Sequence, residues 1–579
     1  MKAEIIEHPS FAGAPGPTIS APAVGKDLIE TGLAHHRSGD LARAETAYKR
    51  HLRKHPRDPG ALHLLGLINH QRGRTGRALQ LIGKAIAEAP GDANLHHVKG
   101  YVLQGAGRLE EAAESYAQAL RLTPDAALSH TNLGNVLKGL GRYDEAVTHH
   151  RRAVAIDPAF AEAWSNLGLT HKASGDRDAA FESFEQALAL EPGHAEFHYN
   201  FANAHLEGGQ PAAAAERFQR TVALAPGHVR AHANLGVALK EEGRMDEAIA
   251  SLRTAIALDP AYADGHWNLG LALLLSGRFE EGWREYEWRR KIPEIGVRSF
   301  DAPMWDGAPF VGKTLLIHAE QGLGDTLQFI RYARLAKDKG GTVIFDCPAP
   351  LMKIVESAPG IDRLIARGEE PAPFDIEIPL ISLPAVLGTT AGTVPAELPY
   401  LAPDAALAAA WKERLGGGFN IGIAWQGNPT YKADGRRSIP LAQFAALAAI
   451  GGPKFISLQK GPGAEQLQDF AGGEAITDPG PDFDEANGAF MDSAAVIANL
   501  DLVITSDSAV AHLAGALGRE TWMALPRIPD WRWGLEGETT PWYPTLRLFR
   551  QSRAGDWDEV FARLAEALTA RIAAAARRR

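Results

Sequence analysis

Proline recurs at Pro56, Pro90, Pro124, Pro158, Pro192, Pro226 and Pro260, each 34 residues after the last. A period that strict repeats one supersecondary unit along the chain and excludes a single-core fold for this region. Ten residues after each proline stands a small residue: Gly66, Gly100, Gly134, Gly168, Ala202, Gly236 and Gly270. Twenty-two residues after, the series runs Ala78, Ala112, Ala146, Ala180, Ala214, Ala248 and Gly282. Small residues at two phases let two helices approach closely, and proline, lacking an N–H, closes the second. Each unit reads as helix, turn, helix.

These residues resemble the tetratricopeptide repeat, and Gly32, Ala44 and Tyr48 carry the phase backwards, giving about eight units over residues 25–296. The resemblance implies a stack of repeats with a concave surface, lined by first helices, that commonly binds polypeptide. Asn132, Asn166, Asn200, Asn234 and Asn268 stand eight residues after successive prolines, while Leu64 and Val98 break the row earlier. A carboxamide both donates and accepts, so such a row can hold an extended acceptor chain through its backbone amides. The row resembles the asparagine ladder of nucleocytoplasmic O-linked N-acetylglucosamine transferases; alternatively, the same residues cap or brace the next turn.

The histidines of this half sit singly at repeat phases, without Cys or close carboxylates at ligand spacing, so no metal is expected there. Sixty Lys+Arg against seventy Asp+Glu leave a charge of −10, which offers no general attraction to nucleic acid or to an anionic membrane. The single cysteine, Cys347, fits a reducing compartment, and the cytoplasm is the expected location. No apolar run reaches the ~20 residues of a membrane span, and residues 1–24, rich in Pro, Gly and Ala, read as a flexible leader.

After Trp283 and Trp288 the 34-residue phase ends. TLLIHAE, TVIFDCP and FDIEIPLISL, and later IGIAWQG, KFISLQKG, VIANLDLVITSD and ETWMALP, are short apolar runs separated by helix-like segments such as DTLQFIRYARLAKDKG. That alternation predicts parallel strands joined by crossover helices in two sheets. The expected fold class is an all-α tetratricopeptide-repeat superhelix followed by an α/β GT-B arrangement of two facing Rossmann-like domains. Residues 297–400 form the acceptor-side domain, 401–555 the donor-side domain, and 556–579 a C-terminal helix and basic tail. Ligands of such domains lie in the cleft at the C-terminal ends of strands.

HAEQGLGDTLQF places Gln321, Gly322, Gly324 and Asp325 between a strand and a helix, where backbone can approach a ligand and the helix end attracts anions. Asp325 resembles the acidic residue of the Gly-Asp turn in bacterial heptosyltransferases, which implies a base that takes the proton from an acceptor hydroxyl; the alternative is a helix N-cap. VITSDSAVAHLAGALG places Asp507, Ser508, Ala509 and His512 at a second such turn and resembles the Asp-Ser/Thr-x-x-x-His-Leu-Ala motif of the same superfamily. Its N–H groups and helix dipole suit the phosphates of a departing nucleotide, while His512 either contacts ligand or packs. WQGNPTYKADGRRSIPL offers Gln426, Asn428, Lys432, Arg436 and Arg437 on a loop, with Arg437 where heptosyltransferases more often carry lysine. Gln459 and Lys460 follow the next strand as contacts for base or ribose.

The tail PDWRWGLEGETTPWYPTLRLFRQ, with Trp531, Trp533, Trp542 and Tyr543, resembles bacterial proteins that fuse tetratricopeptide repeats to a heptosyltransferase-like domain, some of which glycosylate flagellin in the cytoplasm. The resemblance implies an inverting protein O-glycosyltransferase. It would take a nucleotide sugar as co-substrate, need no cofactor, and act on a protein acceptor, flagellin among them, held by the repeats. No Asp-x-Asp metal motif is expected in the cleft-lining segments. Two rival expectations are transfer to a lipid-linked or polysaccharide acceptor, and an inactive repeat scaffold.

Overall fold

The computed structural model describes residues 26–430, 434–470 and 475–577. The leader expected over residues 1–24 and Lys432 lie outside them. Two compact units divide the chain, Met1–Pro226 and Gly227–Arg579.

Helix pairs of 34-residue period occupy the first unit, from Lys26–Arg37 with Leu41–Lys54 to Ala195–Glu207 with Pro211–Leu224. Each pair turns on a glycine of positive φ: Gly39, Gly73, Gly107, Gly141, Gly175 and Gly209 lie between +72° and +87°, where side chains other than glycine are strained. The small residue ten positions after the proline lets the paired helix dock. A Cβ on Gly66, Gly100, Gly134 or Gly168 would sit 2.6–2.9 Å from Ile82, Tyr116, His150 or Phe184, and all four of those side chains are fully buried.

The repeat histidines have a structural task. Nε2 of His96, His130 and His198 lies 3.3, 2.9 and 3.0 Å from the carbonyl oxygens of Pro90, Pro124 and Pro192, and the Trp164 indole N–H donates to Pro158 at 3.1 Å. Each thus pairs the carbonyl of its own repeat proline, a polar group ahead of the first helix.

His150 differs. Both its ring nitrogens are buried without a hydrogen-bond partner, and burial lowers its pKa to about 3; burial likewise lowers His63 and His97 to about 4. A histidine that protonates less readily when folded leaves stability intact above its unfolded value near 6.5 and removes it as pH falls below that, by up to about 1.4 kcal/mol per pH unit for each group. Phe184 fills the equivalent place on Gly168, so His150→Phe should fit. It is expected to raise the melting temperature at neutral pH, because an unsatisfied buried polar group costs roughly 1–3 kcal/mol, and to raise it further at pH 5. A circular-dichroism melt showing the same pH dependence in both proteins would contradict this.

The second unit opens with two more helix pairs, Val229–Glu241 with Met245–Leu258 and Ala263–Leu275 with Phe279–Tyr286, followed by a 3₁₀ stretch Glu287–Lys291. Four parallel strands come next: β1 (Thr314–His318), β2 (Thr342–Cys347), β3 (Arg363–Ala366) and β4 (Ile376–Pro379), in the order β3-β2-β1-β4. Six more form the second sheet: β5 (Phe419–Ala424), β6 (Pro453–Ser457), β7 (Ile476–Thr477), β8 (Leu502–Thr505), β9 (Thr521–Leu525) and β10 (Leu546–Arg550). Its order, β10-β9-β8-β5-β6-β7, is all parallel and is the doubly wound Rossmann order read from the other edge.

The expected strands are present, and β3, β7 and β10 add to them. The expected helix after β1 breaks into Leu323–Phe329 and Tyr332–Lys337. Between the two pieces, the buried Arg331 donates to the carbonyls of Pro395 and Trp542 and to the Tyr400 hydroxyl, at 3.1, 2.6 and 2.8 Å. The tail tryptophans form the seam of this unit. Trp531 packs edge-on against Trp283 at 5.2 Å between ring centroids and lies 5.8 Å from Trp542, which in turn meets Phe329 at 5.6 Å. The eighth helix pair is therefore cored together with the sheets.

Candidate functional site

In each sheet the chain reverses its winding between two strands, β1 and β4 in the first and β5 and β8 in the second. The crevice at such a switch point is where doubly wound sheets take ligands. The Gln321–Asp325 turn follows β1, the Gln426–Asn428 loop follows β5, and Asp507–Ser508 follows β8, so the motifs read from sequence stand at the switch points.

The turn after β1 is anchored from beneath. Arg289, with no solvent exposure, donates to both Glu320 carboxylate oxygens at 3.0 and 2.8 Å, to Glu287 at 2.7 Å and to the Ser382 hydroxyl at 2.8 Å. Glu320 also accepts from the Ile381 amide at 3.0 Å, tying the β1 turn to the end of β4. Gln321 lies 3.4 Å from the Tyr286 hydroxyl.

Asp325 is the third residue of the helix Leu323–Phe329. One oxygen accepts from the Gly322 amide at 2.8 Å, which closes the helix end; the other accepts from Arg532. Burial raises its carboxyl above the ordinary range, against the pull of Arg532. The capping reading holds, and the same carboxylate also pairs with Arg532. A Cβ on Gly324 would lie 2.9 Å from His512 Cδ2 and 3.6 Å from the Ala509 Cα. Glycine is needed here because the second turn packs directly onto the first, and that contact brings Gly322, Gly324, Asp325, Ala509 and His512 together.

His512 Nδ1 lies 3.0 Å from the Tyr543 hydroxyl. The neighbouring Tyr400 hydroxyl donates to the Leu327 carbonyl at 2.8 Å and lies 3.4 Å from that of Tyr543. Burial pushes the Tyr543 phenol well above its usual range and holds His512 well below its own. The imidazole is thus neutral, and its Cδ2–Nε2 edge faces Gly324. Trp533 stacks on the ring at 5.5 Å. Asp507 is buried, and its carboxyl is pushed up to about 6, first by burial and then by Asp530, against the pull of Arg437 and Arg532. Ser508 precedes the helix Ala509–Ala516, its hydroxyl 3.4 Å from that of Thr505.

Arg437 closes a one-turn helix Asp434–Arg437 and donates to Asp434 at 3.0 Å. A Cβ on Gly427 would lie 2.4 Å from Asp434 Oδ1 and 2.6 Å from Arg437 Nη2, so the bare backbone there admits this pair. Arg436 turns to Glu241 of the seventh helix pair.

Other expected contacts are engaged elsewhere. Gln459 accepts from the Trp425 and Gln426 amides, both at 3.0 Å, and donates to the Gln426 and Pro462 carbonyls at 3.1 and 2.8 Å. All its donors and its acceptor are occupied, so in place of a ligand contact it braces two loops. The Gln426 side chain accepts from Gln466 at 3.0 Å. Asn428 closes a turn by accepting from the Thr430 amide and hydroxyl at 3.0 and 2.9 Å. Lys460 pairs with Glu485 at 3.0 Å, both side chains exposed to solvent. Outside the segments read as lining the cleft, Asp482, Phe483 and Asp484 give an Asp-x-Asp spacing; Asp484 accepts from the Ser493 amide and hydroxyl at 2.9 and 2.5 Å. Among the described residues no group of three His, Cys, Asp or Glu is placed to hold a metal.

The asparagine row is not uniform. In the first unit Asn132 and Asn200 make long contacts of 3.4 and 3.5 Å to His97 and Ser165 of the preceding repeat. In the second, Asn268 donates back to the Asp264 carbonyl at 2.9 Å.

Sequence reading missed Arg532 and Asp530. Arg532 donates to Asp530 at 2.8 Å and to Gln328 at 2.5 Å in addition to Asp325. Its only sequence signal was a polar pair inside the aromatic PDWRW. A depression of ≈ 670 Å³ lined by Glu520, Trp522, Arg547 and Arg571 lies apart from all these residues, at the β10 edge.

Tetratricopeptide-repeat profiles match residues 29–93, 100–141, 135–175, 171–236, 205–254 and 238–277. The N-terminal half is a tetratricopeptide-repeat array. Protein FlbA of Caulobacter vibrioides is 29% identical over 317 residues, covering 50% of this chain and 52% of FlbA; the chain thus spans about half the length of that relative. A tetratricopeptide repeat protein from Parabacteroides merdae is 18% identical, covering 43% of this chain and 98% of its own, with a TM-score of 0.37. Pseudomonas aeruginosa PilF is 23% identical, covering 36% and 95%, with a TM-score of 0.32.

Removing one member of a buried ion pair strands the other, at about 3–5 kcal/mol. Arg289→Leu is therefore expected to lower the unfolding midpoint of the second unit, and Arg289→Leu with Glu320→Leu to recover part of the loss. Urea melts followed by tryptophan fluorescence would check this; a double variant as unstable as the sum of both singles would show that charge pairing is not what Arg289 supplies.

Proposed function

We propose that the chain is an inverting, metal-independent glycosyltransferase of GT-B architecture. It moves a sugar from a nucleotide donor to a Ser or Thr hydroxyl of a protein held by the repeats, in the cytoplasm. The observation that supports this best is the packing of Gly324 against His512 and Ala509, which sets two strand-to-helix turns face to face at two switch points. One turn carries a carboxylate, Asp325; the other carries a helix end, Ser508 and the neutral imidazole of His512. Flagellin is the acceptor that the resemblance of the whole architecture suggests.

In this reading Asp325 takes the proton of the acceptor hydroxyl as its oxygen attacks the sugar carbon. The carbon–oxygen bond to the leaving phosphate breaks, and that phosphate departs with the electron pair. Ser508, the amides opening Ala509–Ala516, His512 and Arg437 stabilise the departing charge, and positioning supplies much of the acceleration. Asp507 suits the sugar's hydroxyls better than the phosphate, because an anion beside a buried carboxylate is repelled. Gly322, Gly324 and Gln321 shape the approach. The asparagines hold acceptor backbone, Asn132, Asn166 and Asn200 within the first unit, Asn234 and Asn268 within the second.

A ligand that binds only the folded state raises its stability with concentration. Among UDP, GDP, ADP, CDP and CMP, one is expected to raise the melting temperature selectively, to do so equally in EDTA, and to lose the effect in Ser508→Trp. No shift from any of them, in a folded protein, would turn the reading toward a scaffold.

With the donor nucleotide known, Asp325→Asn is expected to lower sugar transfer by 10²-fold or more, within the usual range for loss of a general base, while the thermal shift persists. Asn132, Asn166 and Asn200 changed together to Ala should raise the KM for the protein acceptor and leave donor hydrolysis unchanged. Full transfer by Asp325→Asn, or an unaltered KM, would remove the respective assignment.

A further inference from the structure

Arg532 lies on the segment after β9, 207 residues from Asp325 in sequence, yet donates to its carboxylate. Its side chain is 8% exposed and lies against Trp531 and Phe329, whose ring centroids are 4.6 and 5.4 Å from the guanidinium carbon. The remaining guanidinium contacts, to Asp530 at 2.8 Å and Gln328 at 2.5 Å, fix its plane. A group tied through all three of its nitrogens is built to hold another group still, and is poorly placed to swing onto a phosphate.

We propose that Arg532 is a positioning residue of this site, which clamps the Asp325 carboxylate across the crevice and keeps it ionised and in one orientation for an acceptor hydroxyl. The inference rests on the reading of Asp325 as base. With Oδ2 on the Gly322 amide and Oδ1 on Arg532, each oxygen keeps an acceptor position, so a hydroxyl can bond without the carboxylate moving. A carboxyl buried without its cation takes up a proton and ceases to be a base. Lysine would carry the charge but could not make the fork of three directed bonds.

The charged and titratable groups facing Asp325 are few. Arg532 and Asp530 come from the segment after β9, Glu320 from its own turn, Tyr286 from the eighth helix pair and His512 from the turn packed on Gly324. Arg532 favours the ionised form, and Asp530 opposes it twice, by its own charge and by sharing the guanidinium. Removing each should therefore move Asp325 in opposite directions, which a merely structural arginine would not do.

The test needs no substrate. Melting temperatures of the full-length protein with and without Asp325→Asn are measured from about pH 4 to 8 in four backgrounds: unaltered, Arg532→Met, Arg532→Lys and Asp530→Asn. Within each background the difference between the Asp and Asn proteins isolates Asp325 protonation. Its midpoint is expected to rise by about one pH unit or more in Arg532→Met, to rise less in Arg532→Lys, and to fall in Asp530→Asn. One midpoint in all backgrounds, or displacements of the same sign, would overturn the proposal. If Arg532→Met does not fold, the opposite signs required of Arg532→Lys and Asp530→Asn decide it. Because no turnover is read, this result stands apart from the base role itself, which fails separately if Asp325→Asn still transfers sugar.

Discussion

A guanidinium shut away from water is tolerated only where its donors find acceptors and its charge is matched. Arg289 meets both demands by recruiting Glu320, Glu287 and Ser382 at once. Those partners come from the end of the last helix pair, the turn after β1 and the segment after β4, so one side chain fixes three elements relative to one another. Glu320 immediately precedes the turn that ends in Asp325. The position of the candidate base is thus inherited from an ion pair whose cation belongs to the helical repeats, not to the sheet.

That inheritance explains why the last two helix pairs belong to the same compact unit as the sheets. Trp283 donates to the Thr389 carbonyl at 2.9 Å and packs on Trp531, while Glu241 of the seventh pair holds Arg436 of the loop after β5. The 34-residue period ends where the chain changes from one periodicity to another. The packing does not end there, because the exposed face of a terminal repeat must be covered and here the α/β core covers it.

Repeat phase was legible because each repeat is set by contacts within about 34 residues, and prolines, glycines and alanines mark those contacts one residue at a time. The two crevice turns were legible for a similar reason: a strand, a glycine or small polar residue, and a helix are local signals. Gln459 and Lys460 were read as ligand contacts because polar side chains at strand ends look alike until their partners are known; their partners here are loop amides and carbonyls 33 or more residues away for Gln426 and Trp425, and Glu485 for Lys460. Arg532 was passed over because nothing near PDWRW announces Asp325. His130 and His198, read from the outset without a metal, each pair a proline carbonyl six residues earlier, a partner that no sequence signal announced.

Charge balance decides how the crevice could receive a nucleotide sugar. Asp325, Asp507 and Asp530 converge on Arg532, with Arg437 nearby but shared with Asp434. A diphosphate entering such a group meets at least as much negative as positive charge, so it would be held where the amides opening Ala509–Ala516 can donate without a compensating carboxylate. The raised Asp507 carboxyl then has a natural place: near neutral pH it stays mostly ionised yet is costly to keep so, and sugar hydroxyls donating to it would relieve that cost where a phosphate would increase it. The donor in this reading lies with its sugar toward Asp507 and Asp325 and its phosphates over the helix end, an orientation imposed by the sign of the buried groups rather than by any one contact.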